Sequence, residues 1–323
     1  MKFAGIIAEY DPFHNGHAWQ LAQAKALGAE RVAVAMSCSL VQRGALPLLP
    51  EAVRTRSALT CGADLVFALP APCACAGAEA FARAGVALLA AAGCDGLVFG
   101  AETPDAALLM EAAELLDSGS YRAALKAQLA GGARSFAAAR QAAAAQLASD
   151  ERVAALLDKP NNNLAVEYCR AIRSLAPRME AYPLPRQGAN HGEALHSAHG
   201  QFASASALRK LWAEGGADAV APYVPEAVFP LYQEAYAAGQ YTDFSAAGRC
   251  ELALLRSACR GKAPFADIRG VSEGLEHRLE AAVRTSTTYD ELLDALTTVR
   301  YPRARMRRLA MDAALGCTAD SLP

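Results

Sequence analysis

Short apolar runs alternate with longer amphipathic or alanine-rich stretches through the first two thirds of the chain. The runs are residues 2–8, 31–37, 63–69, 96–100 and 179–185. Each is too short for an ordinary helix and reads as a strand buried on both faces. Pro70 stops the third run, because proline has no N–H for a ladder. Segments 17–27, 50–62, 77–92 and 161–176 read as helices between the strands. Residues 104–158 form an alanine-rich helical insertion, broken at Gly131-Gly132. This alternation predicts an α/β fold: a Rossmann-like, doubly wound parallel sheet with right-handed crossovers. After about residue 218 no strand pattern remains. A domain over 1–217 followed by a smaller helical C-terminal domain over 218–323 is expected.

Composition adds limits rather than detail. Of 323 residues, 53% are hydrophobic, enough for a sizeable core, and the net charge is −2. Any nucleic-acid surface must therefore be a local patch. Nine cysteines, an odd number with no CxxC pair, read as free thiols in a reducing cytosol, with no metal site expected. The first residues lack the long apolar segment of a signal peptide, and no uncharged stretch is long enough to span a bilayer. A cytoplasmic protein with no membrane partner is expected.

The sharpest local feature is Phe13-His14-Asn15-Gly16-His17, just past the first strand and at the start of the first helix. A helix N-terminus presents unpaired N–H groups and the positive end of the helix dipole, which suit a phosphate. Gly16 permits close backbone approach. Two imidazoles three residues apart can face one phosphate chain and stabilise charge at an α-phosphate. By spacing alone, solvated loop histidines or a metal pair remain alternatives. Farther on, Ser204 or Ser206 can cap a helix whose first turn carries Arg209, which can reach a triphosphate. Trp19 and Trp212 fall in early helix turns and read as core. His191, His196 and His199 have no acidic or cysteine partner at metal-ligand spacing, and read as solvated or weakly RNA-contacting.

The pairing of HNGH with a serine-rich turn and an arginine resembles the HxGH nucleotidyltransferase superfamily. Residues 5–17, Gly-Ile-Ile-Ala-Glu-Tyr-Asp-Pro-Phe-His-Asn-Gly-His, are similar to the opening of the bacterial tRNA(Met) cytidine acetate ligases. Further stretches resemble that family in order: Val41 to Gly44, Ala63 to Val66 with Leu69-Pro70, Phe99 to Glu102, Pro160 to Asn162, Glu167-Tyr168, Arg186, Ser204 to Arg209, Glu273 to Glu276, and Tyr301 to Arg308. The resemblance implies an enzyme that adenylates acetate with ATP and Mg2+, releases pyrophosphate, and acetylates a cytidine of tRNA(Met). His14, His17 and Arg209 would be catalytic. ATP would contact Ile7, Ala8, Glu9, Tyr10, Asp11, Pro12, Phe13, His14, Asn15, Gly16, His17 and Gln20. Gly100, Asn161, Asn162, Arg186, Ser204, Ser206 and Arg209 would complete its site.

The chain departs from the family pattern at Cys38, Ser39, Ala45 and Leu46, at Glu51 where lysine is usual, at Ala101 for serine and at Asp11 for asparagine. Residues 300–308 hold five arginines and no acid. Arg300, Arg303, Arg305, Arg307 and Arg308 suit tRNA phosphates, with a solvated face or internal ion pairs as alternatives. Two other functions compete: a small-molecule adenylyl- or cytidylyltransferase, and a non-catalytic RNA-binding nucleotide sensor.

Overall fold

The computed structural model describes residues 1–133, 135–186, 196–197 and 200–321. The strands are β1 (Phe3–Ala8), β2 (Arg31–Ser37), β3 (Leu65–Leu69), β4 (Gly96–Ala101) and β5 (Glu180–Pro185). They form one sheet in the order β3-β2-β1-β4-β5, with every pairing parallel. The expected doubly wound α/β sheet is present. β3 starts later than its apolar run, because the Asp64 carboxylate accepts the Val32 N–H at 2.7 Å. The insertion comprises helices Ala106–Asp117, Gly119–Ala130, Phe136–Leu147 and Glu151–Leu156. A short helix, Ala71–Ala74, and a two-stranded ribbon of His196–Ser197 with Gly200–Gln201 were not legible in the pattern. His191 and His199 lie outside the described residues.

The strands read as continuous apolar runs because each serves two cores. On β1, Ile7 points into one core while Ala4 and Ile6 point into the other. On β2, Ala33 and Ala35 alternate with Val32, Val34 and Met36 in the same way. The first core is closed by Phe81 and Leu89 of helix Ala78–Ala91, the insertion, and helix Pro160–Leu175. The second is closed by Leu21 of helix Asn15–Ala26, Val53 of helix Glu51–Thr60, and Leu208 of helix Ala205–Val220. Burial of this apolar surface on both faces is the main stabilising term.

Residues 218–237, which composition alone groups with the tail, pack with the second core through Val220, Val224, Val228, Tyr232 and Ala235. The reason is contact: the chain kinks at Gly216, with φ +68°, and the turns after it stay on the second core, while the Tyr232 hydroxyl donates to the Phe13 carbonyl at 2.7 Å. A third core, from Leu252 to Ala313, belongs to the tail helices alone. The tail is tied to the sheet unit by Arg269, which pairs with Asp312 at 2.5 Å and donates to the Pro72 carbonyl at 2.6 Å.

A second tie lies near the end of β2. Gly44 has φ +74°, and a Cβ there would fall 2.7 Å from the Arg308 nitrogen and 2.8 Å from the Arg307 carbonyl carbon, in helix Arg303–Leu315. Both the left-handed backbone and the contact require glycine. Gly44→Ala is expected to destabilise the protein by about 1–3 kcal/mol through strain and overpacking. Urea denaturation checks this; an unchanged midpoint would mean that the helix does not rest on this turn.

Candidate active site

The C-terminal ends of β1, β4 and β5 open onto a cleft of about 350 Å³. β1 lies between β2 and β4, and connections leave it in opposite directions, which is where doubly wound sheets leave a crevice. Residues at the starts of three helices line the cleft: His14, Gly16 and His17, then Asn161, then Ser204 and Ala205. Each helix brings the positive end of its dipole, but the first N–H groups of helix Pro160–Leu175 are already taken by the Glu102 carboxylate, so the helices at His14 and Ser204 are the ones suited to a further anion.

His14 is the N-cap of helix Asn15–Ala26, two to three residues before the start that periodicity suggested. Its Nδ1 accepts the Gly16 N–H at 3.1 Å. His17 Nδ1 accepts the His14 N–H at 3.3 Å. The two histidines thus make a reciprocal capping box, a job usually done by serine or threonine with glutamate. Because each Nδ1 is an acceptor, each neutral ring carries its proton on Nε2. The rings stack at 3.8 Å. A Cβ on Gly16 would come within 2.9 Å of the His14 ring, so the glycine is what lets that ring fold over the turn.

Burial pushes His14 from 6.5 down to about 3, helped by the charges of Arg186 and Arg209. Burial, then His14 and Arg186, hold His17 well below its ordinary value as well. Both are therefore uncharged hydrogen-bond donors rather than cations at neutral pH. Glu9 sits deep in the cleft; burial raises its carboxyl, with Arg43 opposing, and its Oε1 accepts the Gln42 N–H at 2.5 Å.

Of the residues expected at ATP, Ile7, Ala8, Glu9, Tyr10, Asp11, His14, Gly16, His17, Gln20, Gly100, Asn161, Arg186 and Ser204 line the cleft. Others serve it from behind. Phe13 is fully buried in core, next to Pro12. Asn15 donates to the carbonyls of Gln201 and Pro222. Asn162 is fully buried and holds the Thr103 N–H at 2.9 Å, so its amide is spent on the fold. Gln20 donates to the Val98 carbonyl at 3.1 Å. Asn161 is positioned by Glu102 at 2.6 Å and by Arg186. Ser204 caps its helix through the Ala207 N–H at 3.2 Å and holds Ser206 at 3.0 Å.

Arg209 lies behind the cleft wall. Its guanidinium donates to the Asp11 carbonyl at 2.5 Å and approaches the Asp11 carboxylate at 3.4 Å. Arg43 pairs with the same carboxylate, whose other oxygen accepts the Leu48 N–H at 2.5 Å.

Sequence reasoning missed Arg54, which has no exposed surface. It donates to the carbonyls of Leu49 at 3.0 Å, Glu9 at 2.7 Å, Ser37 at 2.6 Å and Cys38. It also missed Phe81, Phe99 and Tyr168 as cleft lining; Gln42, which in sequence reads as part of a candidate substrate loop with Arg43 and Gly44, lines it, and so does Trp19, expected as core. Trp212 is 3% exposed among Tyr232, Tyr236 and Tyr241, a core residue as expected.

The tail arginines divide. Arg300 pairs with Glu273 at 2.6 Å, and Arg303 with Asp290 at 2.7 Å and with Asp294. Arg308 donates to the Gln42 carbonyl at 3.3 Å. Arg305 sits 4.9 Å over the Tyr301 ring. Arg307 has no carboxylate partner among the described residues. There, too, no group of three His, Cys, Asp or Glu converges as a metal site, the cysteines are all free, and no helix is long and apolar enough to cross a membrane.

A parallel sheet whose switch point carries HNGH at a helix N-terminus defines a nucleotidyltransferase-class site. A family model described as HIGH Nucleotidyl Transferase matches residues 1–323. The tRNA(Met) cytidine acetate ligase of Syntrophotalea carbinolica is 36% identical over 314 residues, covering 96% of this chain and 73% of that protein. That of Acetivibrio thermocellus is 33% identical, covering 100% and 79%. Crystal structures of Thermotoga maritima TmcAL, apo and bound with alpha-thio ATP, superpose with TM-scores of 0.90 and 0.89 at 30% and 29% identity. They cover 99% of this chain and 77% and 76% of those chains. The chain belongs to the HIGH nucleotidyltransferases and, among them, to the tRNA(Met) cytidine acetate ligase family.

Three outcomes follow from neutral, capping histidines. His17→Ala is expected to lower the rate of ATP turnover by about 10²-fold or more, the size of a lost electrostatic donor. In the pH–rate profile, no step between about pH 5 and 9 should belong to either ring. Folded His14 binds fewer protons than unfolded histidine between about 3 and 6.5, so its contribution to stability is full above 6.5 and lost as pH falls. Melting scans at descending pH should show a weaker decline in His14→Asn than in the wild type. A rate step near pH 6.5 removed by His14→Asn would refute neutral donors.

Proposed function

We propose that this chain is an ATP-dependent ligase that activates acetate as acetyl-adenylate and transfers the acetyl group to a cytidine of tRNA(Met). The carrying observation is the convergence of the helix starts at His14 and Ser204 and of two neutral Nε2–H donors on one cleft at the sheet's switch point. That arrangement favours charge building on a phosphate chain. An acetate oxygen attacks the α-phosphorus of ATP, the bond to the β-phosphate bridging oxygen breaks, and pyrophosphate leaves. The exocyclic amine of the cytidine then attacks the acetyl carbon. AMP departs, and the amine gives up one proton.

His14 and His17 act as donors to the phosphates, and Ser204 with its helix start meets the same chain. Arg209 acts through Asp11, whose main chain and carboxylate it holds at the cleft wall. Mg2+ fits as a companion of the triphosphate. Of the cleft's carboxylates, Asp11 is shared by Arg43 and Arg209, which leaves Glu9 to face such an ion; the ion supplies charge neutralisation on the phosphates. A cytoplasmic location accords with this substrate. RNA contact falls to Arg305 and Arg307, since Arg300, Arg303 and Arg308 already have partners.

Pyrophosphate release from ATP should depend on acetate, and labelled acetate should enter tRNA without coenzyme A. Release driven by a phosphorylated metabolite and indifferent to acetate would favour a small-molecule nucleotidyltransferase instead. Removing Arg305 should reduce the slope of log affinity for tRNA against log salt by nearly one. An unchanged slope would take that residue off the RNA surface.

A further inference from the structure

A second cavity, about 980 Å³, lies between the sheet unit and the tail helices. Arg43 and Arg209 line it, while Asp11, which pairs with both, lines the ATP cleft. This ion cluster is the partition between the two spaces. The cavity's remaining polar groups have no part in the adenylation chemistry above.

Three kinds of group converge there. Phe244 is 37% exposed and lines the cavity, with the Arg43 guanidinium 5.9 Å from its ring centre. Together they offer planar surfaces of the sort on which single-stranded bases stack. Arg249 and Arg307 line the same space without a carboxylate partner among the described residues, and Lys210 stands at its edge. Such cations answer a phosphate backbone. Glu251 is 9% exposed and bonds the Tyr289 hydroxyl through Oε1 at 2.5 Å, while its Oε2 has no hydrogen-bond partner among the described residues.

The Glu251 Oε2 is open to the cavity and can accept from a donor that enters it. The lining cations do not take that place in the structure, and a base amine does so chemically, as glutamate accepts from the cytosine amine elsewhere. Burial lifts Glu251 to about 7, with the Tyr289 hydroxyl and Arg307 opposing. An amine donor on Oε2 favours the ionised form. Cytosine and adenine carry an amine at the edge position where uracil carries a carbonyl oxygen, so with the base plane fixed by stacking an ionised carboxylate accepts from the first two and repels the third.

We propose that this cavity seats an unstacked base of the RNA substrate, a cytosine or adenine neighbouring the acetylated nucleotide, stacked on Phe244 and donating its amine to Glu251. The inference rests on the proposed RNA substrate. The partition keeps the seated base out of the ATP cleft, so it selects the RNA and does not react.

The test uses the full chain and tRNA(Met) transcripts in which each unpaired base near the acetylated cytidine is replaced in turn by uridine, with direct binding as readout. The wild type should lose about 10-fold or more in affinity at one cytosine or adenine position. Glu251→Ala should bind the parent transcript more weakly and no longer distinguish that replacement. Phe244→Ala, a substitution at an exposed site that spares the cores, should weaken binding by a similar factor. Acetate-dependent pyrophosphate release without RNA, measured in parallel, reports separately on the ligase reading. Parent affinity within 2-fold of wild type in both variants, or no position at which uridine matters, would overturn the base seat. So would weaker binding by Glu251→Ala that keeps the full discrimination.

Discussion

The site depends on one buried guanidinium. Arg54 has no exposed surface and directs its hydrogens at the carbonyls of Glu9, Ser37, Cys38 and Leu49. Those carbonyls belong to the chain just beyond β1, the end of β2 and the loop leading to helix Glu51–Thr60. Carbonyls past the ends of strands have no ladder partner, and burying them unpaired would cost about 1–3 kcal/mol each. One planar, permanently charged group satisfies all four and draws the ends of two strands together. Burial lowers the Arg54 pKa, and Asp11, Glu51 and Glu9 oppose that fall. Everything that lines the cleft between residues 9 and 42 hangs from this knot, including the Glu9 contact to Gln42.

Asp11 extends the same logic outward. The resemblance leads one to expect asparagine at this position. An amide offers one acceptor oxygen and no charge. The carboxylate offers two oxygens, which here hold the Leu48 N–H, Arg43 and Arg209. The loop of residues 38–46, where this chain differs most from the family pattern, is thus fastened by the residue that also differs. Two departures become one compensated arrangement.

The sheet and the histidine turn at the first helix start were legible because their signals are local. Apolar runs of strand length, and a histidine pair directly after the first, carry their meaning within a dozen residues. Arg54 was not legible, since an arginine in Arg-Thr-Arg-Ser looks like any solvated helix position until the fold covers it. Asn162 was legible as polar at a helix start, yet its amide serves Thr103 rather than a ligand. In sequence Arg209 reads as reaching a triphosphate; in the structure its guanidinium donates to the Asp11 carbonyl, a partner far away in sequence. The packing of residues 218–237 against the sheet likewise depends on tertiary contacts such as Tyr232 with Phe13, which composition does not encode. The arginine-rich segment was ambiguous because its acidic partners, Glu273, Asp290 and Asp294, come from other turns and helices.

The histidine capping box ties two kinds of selection to the same atoms. Each imidazole closes the helix with Nδ1 and addresses the cleft with Nε2, and Gly16 is needed for the first of them to fit. No single member can drift without fraying the helix that underlies one face of the sheet. A descendant that had lost all turnover would still be held to His14, Gly16 and His17 by stability alone. Within this architecture, survival of the signature testifies to an intact scaffold first. Evidence of a working enzyme has to come from groups that the helix cap does not use.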